Sequence, residues 1–76
     1  MDEIVTFSIE GEDYFCLAWK SEDGSYFGAI HPEDDPDPCW FSSVNYSKPT
    51  EVIVFLKFVK EWTENGIPLN AIPGIF

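Results

Sequence analysis

Seventy-six residues carry 14 acidic side chains against 4 lysines, no arginine and one histidine, for a formal net charge of −10. A chain of this length is read as one domain, residues 1–76, burying only about 60% of the surface its unfolded form exposes, which leaves little room for a deep pocket. A field of this sign repels nucleic acid and anionic membrane, so direct binding to either is not expected, and it steers the molecule toward basic protein surfaces.

The charge is concentrated. Residues 1–37 hold 11 of the 14 acids and one lysine, whereas residues 38–76 hold three acids and three lysines. Solubility explains an acidic surface in general, but this density in one half of the chain favours a partner-directed face. Seven Phe, three Trp and three Tyr supply the contact area a small core needs. Cys16 and Cys39 show no metal-ligand spacing and are expected as reduced thiols. Asp2 and Glu3 stand where a secretory signal would be basic, and the apolar run from Val52 to Leu56 is too short to span a bilayer. These features suit a soluble cytoplasmic protein.

Val5, Phe7 and Ile9 alternate with Thr6 and Ser8, the period of a half-buried strand. Gly11, among Glu10, Glu12 and Asp13, ends that strand in a turn. Tyr14 to Lys20 predicts a second strand and Ser25 to Ile30 a third, joined by Asp23-Gly24 as a type I′ turn. With a two-residue loop, Glu22 opposes Ser25, Trp19 faces Gly28 and Leu17 faces Ile30. Phe15, Leu17, Trp19, Tyr26 and Ile30 then share the core face, with Gly28 leaving room for the Trp19 indole.

His31 to Pro38 reads H-P-E-D-D-P-D-P, an acidic loop stiffened by Pro32, Pro36 and Pro38. Cys39, Trp40 and Phe41 follow as a short strand or a lid, and Val44 and Tyr46 continue an extended path. Ser47 as N-cap, Pro49 in the first turn, Glu51 near the positive end of the dipole and Gly66 before Pro68 predict a helix from about 48 to 65. Phe58, Trp62, Phe55, Val59, Val52 and Leu56 fill an arc of about 160° on it. Lys57, Glu61 and Glu64 face water, with Ile53 and Val54 at the margins. The segment Ile67 to Phe76 reads as an extended strand or strap. The fold class is therefore α+β, an antiparallel sheet of three or four strands packed against one C-terminal helix.

Chemistry is sparsely marked. His31 and Cys39 form a conceivable nucleophilic pair, but no orienting third group or oxyanion hole accompanies them. Glu33, Asp34, Asp35 and Asp37 suit a hard cation by type but not by spacing. Lys48, Lys57 and Lys60 are neutralised by Glu51, Glu61 and Glu64. No catalytic residue, metal or cofactor is expected, and the chain is read as a non-enzyme. The expected partner-binding set is Glu10, Glu12, Asp13, Glu22, Asp23, Glu33, Asp34, Asp35 and Asp37, anchored by Trp40 and Phe41, because buried aromatics rather than rim charges carry most binding energy. The expected partner is a basic nucleic-acid-binding protein or nuclease. A homodimer is compatible with these features.

The hairpin Asp23-Gly24-Ser25-Tyr26, a strand ending at Pro32, Cys39 after an acidic loop, the helix start from Ser47 to Glu51, and Trp62 followed by Gly66-Ile67-Pro68 stand in a familiar order. Over residues 14–70 that order resembles the small domain of HicB-type antitoxins, with its partial RNase H-like fold. The resemblance implies an acidic antitoxin that covers a basic RNase. This chain departs from the family in its longer acidic turn, its additional N-terminal strand and the lack of a DNA-binding segment after residue 70. The alternative with the same mechanism is a phage-encoded anti-defence protein, such as an anti-CRISPR, whose carboxylates imitate phosphates. A small enzyme or metal-binding protein using His31, Cys39 and the acidic loop is a third class.

Overall fold

A computed structural model describes residues 4–35 and 37–75; Asp2, Glu3, Pro36 and Phe76, used in the reading above, lie outside them. Among the described residues, strands β1 (Val5–Ile9), β2 (Glu12–Lys20), β3 (Tyr26–Pro32) and β4 (Trp40–Phe41) form one antiparallel sheet in chain order. Helix α1 (Pro49–Glu64) packs on one face of it, giving the expected α+β architecture.

The two-residue loop expected at the second hairpin occurs at the first. Glu10 and Gly11 both have positive φ, 52° and 83°, and form the two-residue connection that sets Ile9 opposite Glu12. The β2–β3 loop is one residue longer than the expected type I′ turn. Gly24 N donates to Ser21 O at 3.1 Å, Ser21 N donates to Ser25 O at 2.7 Å, and Gly24 takes φ 89°. This is a three-residue loop with a left-handed glycine closing it. Asn45 braces it from outside, its Nδ2 donating to Ser21 Oγ at 3.0 Å and Ser25 Oγ at 2.8 Å.

One residue of loop length reverses β2. Trp19 opposes Phe27, Leu17 opposes Ala29 and Cys16 opposes Ile30. Because side chains alternate with period two, such a slip moves every side chain of the strand to the other face. The expected core set is corrected accordingly: Phe15, Leu17 and Trp19 leave the helix-covered face, and Tyr14, Cys16 and Ala18 take their place. Gly28 makes room for the helix rather than for Trp19. A Cβ there would lie 3.2 Å from Leu56 Cδ2 and 3.5 Å from Val52 Cγ1.

The core joins Val5, Phe7, Cys16 and Ile30 of the sheet to Val52, Ile53, Leu56 and Val59 of α1 and to Leu69 and Ile72 beyond it. The N-cap is Lys48, without a side-chain cap; Ser47, expected there, instead donates its hydroxyl to Glu51 at 3.3 Å. At the other end Gly66 N returns to Thr63 O and Ile67 N to Trp62 O, both at 3.0 Å, a Schellman closure. The buried face is rotated by about 80° from the expected arc. Ile53, expected at the margin, is 4% exposed, whereas Phe58, expected inside, is 55% exposed. The close approach over Gly28 accepts Val52 and Leu56 directly above the sheet. Phe55 and Trp62 turn instead toward Ile72 and Pro73. The tail is not a full strand: it makes a 3-10 turn at Leu69–Ala71, and Ile75 then bridges to Ser42.

Candidate partner-binding face

The β1–β2 turn and the loop between β3 and β4 emerge at the same end of the sheet, where Glu33 N donates to Asp13 O at 2.8 Å. That bond brings Glu10, Glu12 and Asp13 beside Glu33, Asp34, Asp35 and Asp37. Seven of the nine expected carboxylates therefore share one end. Glu22 and Asp23 do not join them, since they lie on the β2–β3 hairpin at the far end of a nine-residue strand, about 30 Å away.

The acidic loop is held by its own backbone and by His31. Asp35 N donates to Pro32 O at 3.2 Å and Asp37 N to Asp35 Oδ1 at 2.9 Å. His31 Nδ1 lies 3.1 Å from Pro32 O and 3.0 Å from Asp35 O. Both partners are carbonyls that only accept, so Nδ1 carries the proton. Ser8 donates its hydroxyl to Asp13. Tyr14 donates to Glu12 at 3.2 Å, and its phenol is held above the ordinary value of 10.0, first by burial, then by this bond and by the nearby negative charge of Glu12. An open groove of about 580 Å³ runs from this end toward the helix, lined by residues including Asp13, Phe15, Glu33, Lys60 and Glu64. At the opposite end, hydrogen bonds from the side chain and backbone of Ser25 hold the Asp23 carboxyl below its usual range.

Trp40 and Phe41, expected to anchor together, point to opposite faces because they are adjacent in β4. Trp40 packs against the core, which removes it from the surface anchor the sequence suggests. Phe41 lies on the uncovered face, with its ring 5.9 Å from that of Phe27. The same face carries Phe15, Leu17 and Trp19 of β2 and Ala29 and His31 of β3, with Phe15 and His31 rings 5.8 Å apart. None of Phe15, Leu17, Trp19, Phe27 or Phe41 contributes to the core cluster. Phe41 is expected at a surface from the sequence, but Phe15, Leu17 and Trp19 are expected in the core because β2 is apolar at both odd and even positions. Alternation alone does not say which set faces inward.

His31 and Cys39 are committed to separate partners. The histidine ring packs on Phe15 and caps the acidic loop, while Cys39 is exposed with its thiol directed at Asp37 O, 3.7 Å away. Cys16 is the opposite case, a free thiol with no exposure whose pKa burial pushes up to about 12. Such a thiol is unreactive at neutral pH. Among the described residues no three His, Cys, Asp or Glu side chains are arranged to hold a metal ion, and no helix is long and apolar enough to cross a membrane. Compared with protein-family models, curated proteins and solved structures, the chain matches none.

Proposed function

We propose that this protein is a non-catalytic inhibitor that covers the basic surface of a nucleic-acid-handling protein, in the manner of a HicB-like antitoxin against its RNase. The observation that carries the reading is the joining of two acidic segments, Glu10–Asp13 and Glu33–Asp37, through the Glu33–Asp13 backbone bond at one end of the sheet. Carboxylates fixed by a turn and a hydrogen-bonded loop lose less conformational freedom on binding than those of a flexible acidic tail. They present closely spaced negative charge to lysine and arginine side chains that would otherwise hold phosphates. Two free thiols support a reducing, cytoplasmic setting.

The test is to capture the partner with the full chain, purify it, and follow its cleavage of RNA and of DNA as this protein is added. Stoichiometric loss of RNase activity is the expected result, with an association rate that falls as the Debye length shrinks from about 10 Å at 0.1 M salt to about 3 Å at 1 M. Suppression of a DNA-cleaving complex instead would select the anti-defence reading. An association rate that stays flat with salt would defeat masking in either form.

A further inference from the structure

We infer that the uncovered face of the sheet, centred on Leu17, Trp19, Phe27 and Phe41, is the anchor of the binding surface, and that its partner is a protein patch of apolar side chains flanked by arginine. The charge of that partner rests on the masking reading above; the apolar anchor is an independent observation.

Helix α1 covers one side of the sheet only. On the other, cross-strand rows place Trp19 beside Phe27, Leu17 beside Ala29 and Phe41, and Phe15 beside His31. Ala29 has no exposure although, among the described residues, no other element packs on this face, so the larger side chains around it close over it as a packed layer. Trp19 remains 40% exposed. The edge strand β1 follows the rule for a solvated sheet face, with Thr6 and Ser8 outward. Strands β2 to β4 break it with aromatic and aliphatic residues, and a contiguous patch of that kind marks an interaction site.

The surrounding charge decides the occupant. Asp13 and Glu33 stand at one end of the apolar strip, and Glu22 and Asp23 at the other. A second copy would set acidic ends against acidic ends, each molecule carrying a net charge of −10. Nucleic acid bases would stack on the rings, but their phosphates are repelled. A cationic protein surface satisfies both features. Its aliphatic side chains fit over Leu17 and Phe41, guanidinium groups fit on the faces of Trp19 and Phe27, and further arginines reach the carboxylates at either end.

The experiment titrates the isotope-labelled full chain with two synthetic peptides of equal length and charge, one alternating arginine with leucine and the other arginine with serine. The expected result is that the leucine peptide shifts amides of residues 15–19 and 27–41 and binds about tenfold more tightly than the serine peptide. Trp19→Ser and Phe27→Thr should each remove that advantage, and Val54→Ser on the exposed side of the helix should keep it. Should Trp19→Ser fail to fold, the shift map and Phe27→Thr still decide. Equal affinity for the two peptides, with shifts confined to residues 10–13 and 33–37, would leave masking intact and overturn the anchor. Binding of neither peptide would defeat both. Shifts centred on Val54 and Phe58, or a concentration-dependent dimer lost in Trp19→Ser, would overturn the assignment in favour of the helix or of a second copy.

Discussion

Placing one aspartate at either of two neighbouring positions in β2 separates the observed strand register from the one a two-residue hairpin would impose. Cys16 has no exposure, and burial there raises its thiol pKa from 9.0 to about 12. At about 1.36 kcal/mol per pKa unit, that site disfavours an anion by about 4 kcal/mol. An aspartate kept neutral there at pH 7 costs a similar ~4 kcal/mol, because its ordinary pKa is about 3.9. A domain of this size has a total stability of about 4–11 kcal/mol, so Cys16→Asp is expected to be unfolded or barely folded. Leu17 is half-buried on the uncovered face, where a carboxylate keeps its water, and Leu17→Asp should cost about 1–2 kcal/mol in lost apolar contact. Urea denaturation followed by circular dichroism measures both. The pH dependence adds a sign. A carboxyl whose folded pKa is raised binds protons more tightly in the native state, so its penalty grows as pH rises from the unfolded value toward the folded one. Relative to the parent, Cys16→Asp should therefore recover near about pH 4. Leu17→Asp should show no such recovery. If instead Leu17→Asp unfolds and Cys16→Asp melts like the parent, the register is the two-residue one and Phe15, Leu17 and Trp19 lie in the core.

Three other outcomes follow from the packing and the turns. Glu10 holds a φ of 52°, a conformation aspartate tolerates better at the same charge, so Glu10→Asp should raise the unfolding free energy from urea denaturation by about 0.5 kcal/mol; a lower value would show that the longer side chain stabilises the turn. Leu56→Ala should cost about 3–5 kcal/mol and Gly28→Val about 1–3 kcal/mol, and the double variant should lose less than their sum because the new methyls enter the vacated space; strict additivity would separate the two positions. In an alkaline titration Tyr14 should ionise above 10, with its contribution to stability falling as pH rises toward the folded value. Glu12→Gln should bring it only partly back because burial remains, and an unmoved titration would remove Glu12 from its environment.

Features written in adjacent residues were legible. The alternation of Val5 to Ile9, the stiffened turn before Cys39 and the Pro49 and Gly66 signals locate β1, the acidic loop and α1, the last to within one residue of Pro49–Glu64. The length of the second hairpin was not, since Asp23-Gly24 suits a two- or a three-residue loop. The brace that accompanies the longer one, Asn45, comes from twenty residues or more downstream. The buried side of α1 was misread because ring size dominates a helical wheel, while the fold seats Val52 and Leu56 over a glycine and sends the rings toward Ile72 and Pro73. Each carboxylate of the candidate site was visible as a residue. Their division into seven and two depends on which strand ends meet, which only the sheet order determines.

The bridge from Ile75 to Ser42, reinforced by the 2.7 Å bond from Ser43 N to Gly74 O, has a consequence in time. The pairings of β1 with β2, β2 with β3 and β3 with β4 each join neighbours in the chain, close a short loop and form on the scale of about 1–10 μs. The Ile75 bridge closes the longest one and needs the helix already in place, so it belongs to the last stage of folding. Strand β4 is only two residues long, and this late clasp beside it holds Phe41 in register with Ala29, its ring against that of Phe27. During synthesis, the acidic end therefore leaves the ribosome and folds before the aromatic face is complete. The contacts of residues 74 and 75 are thus among the last to be made, and β4 is fixed in place only once they form.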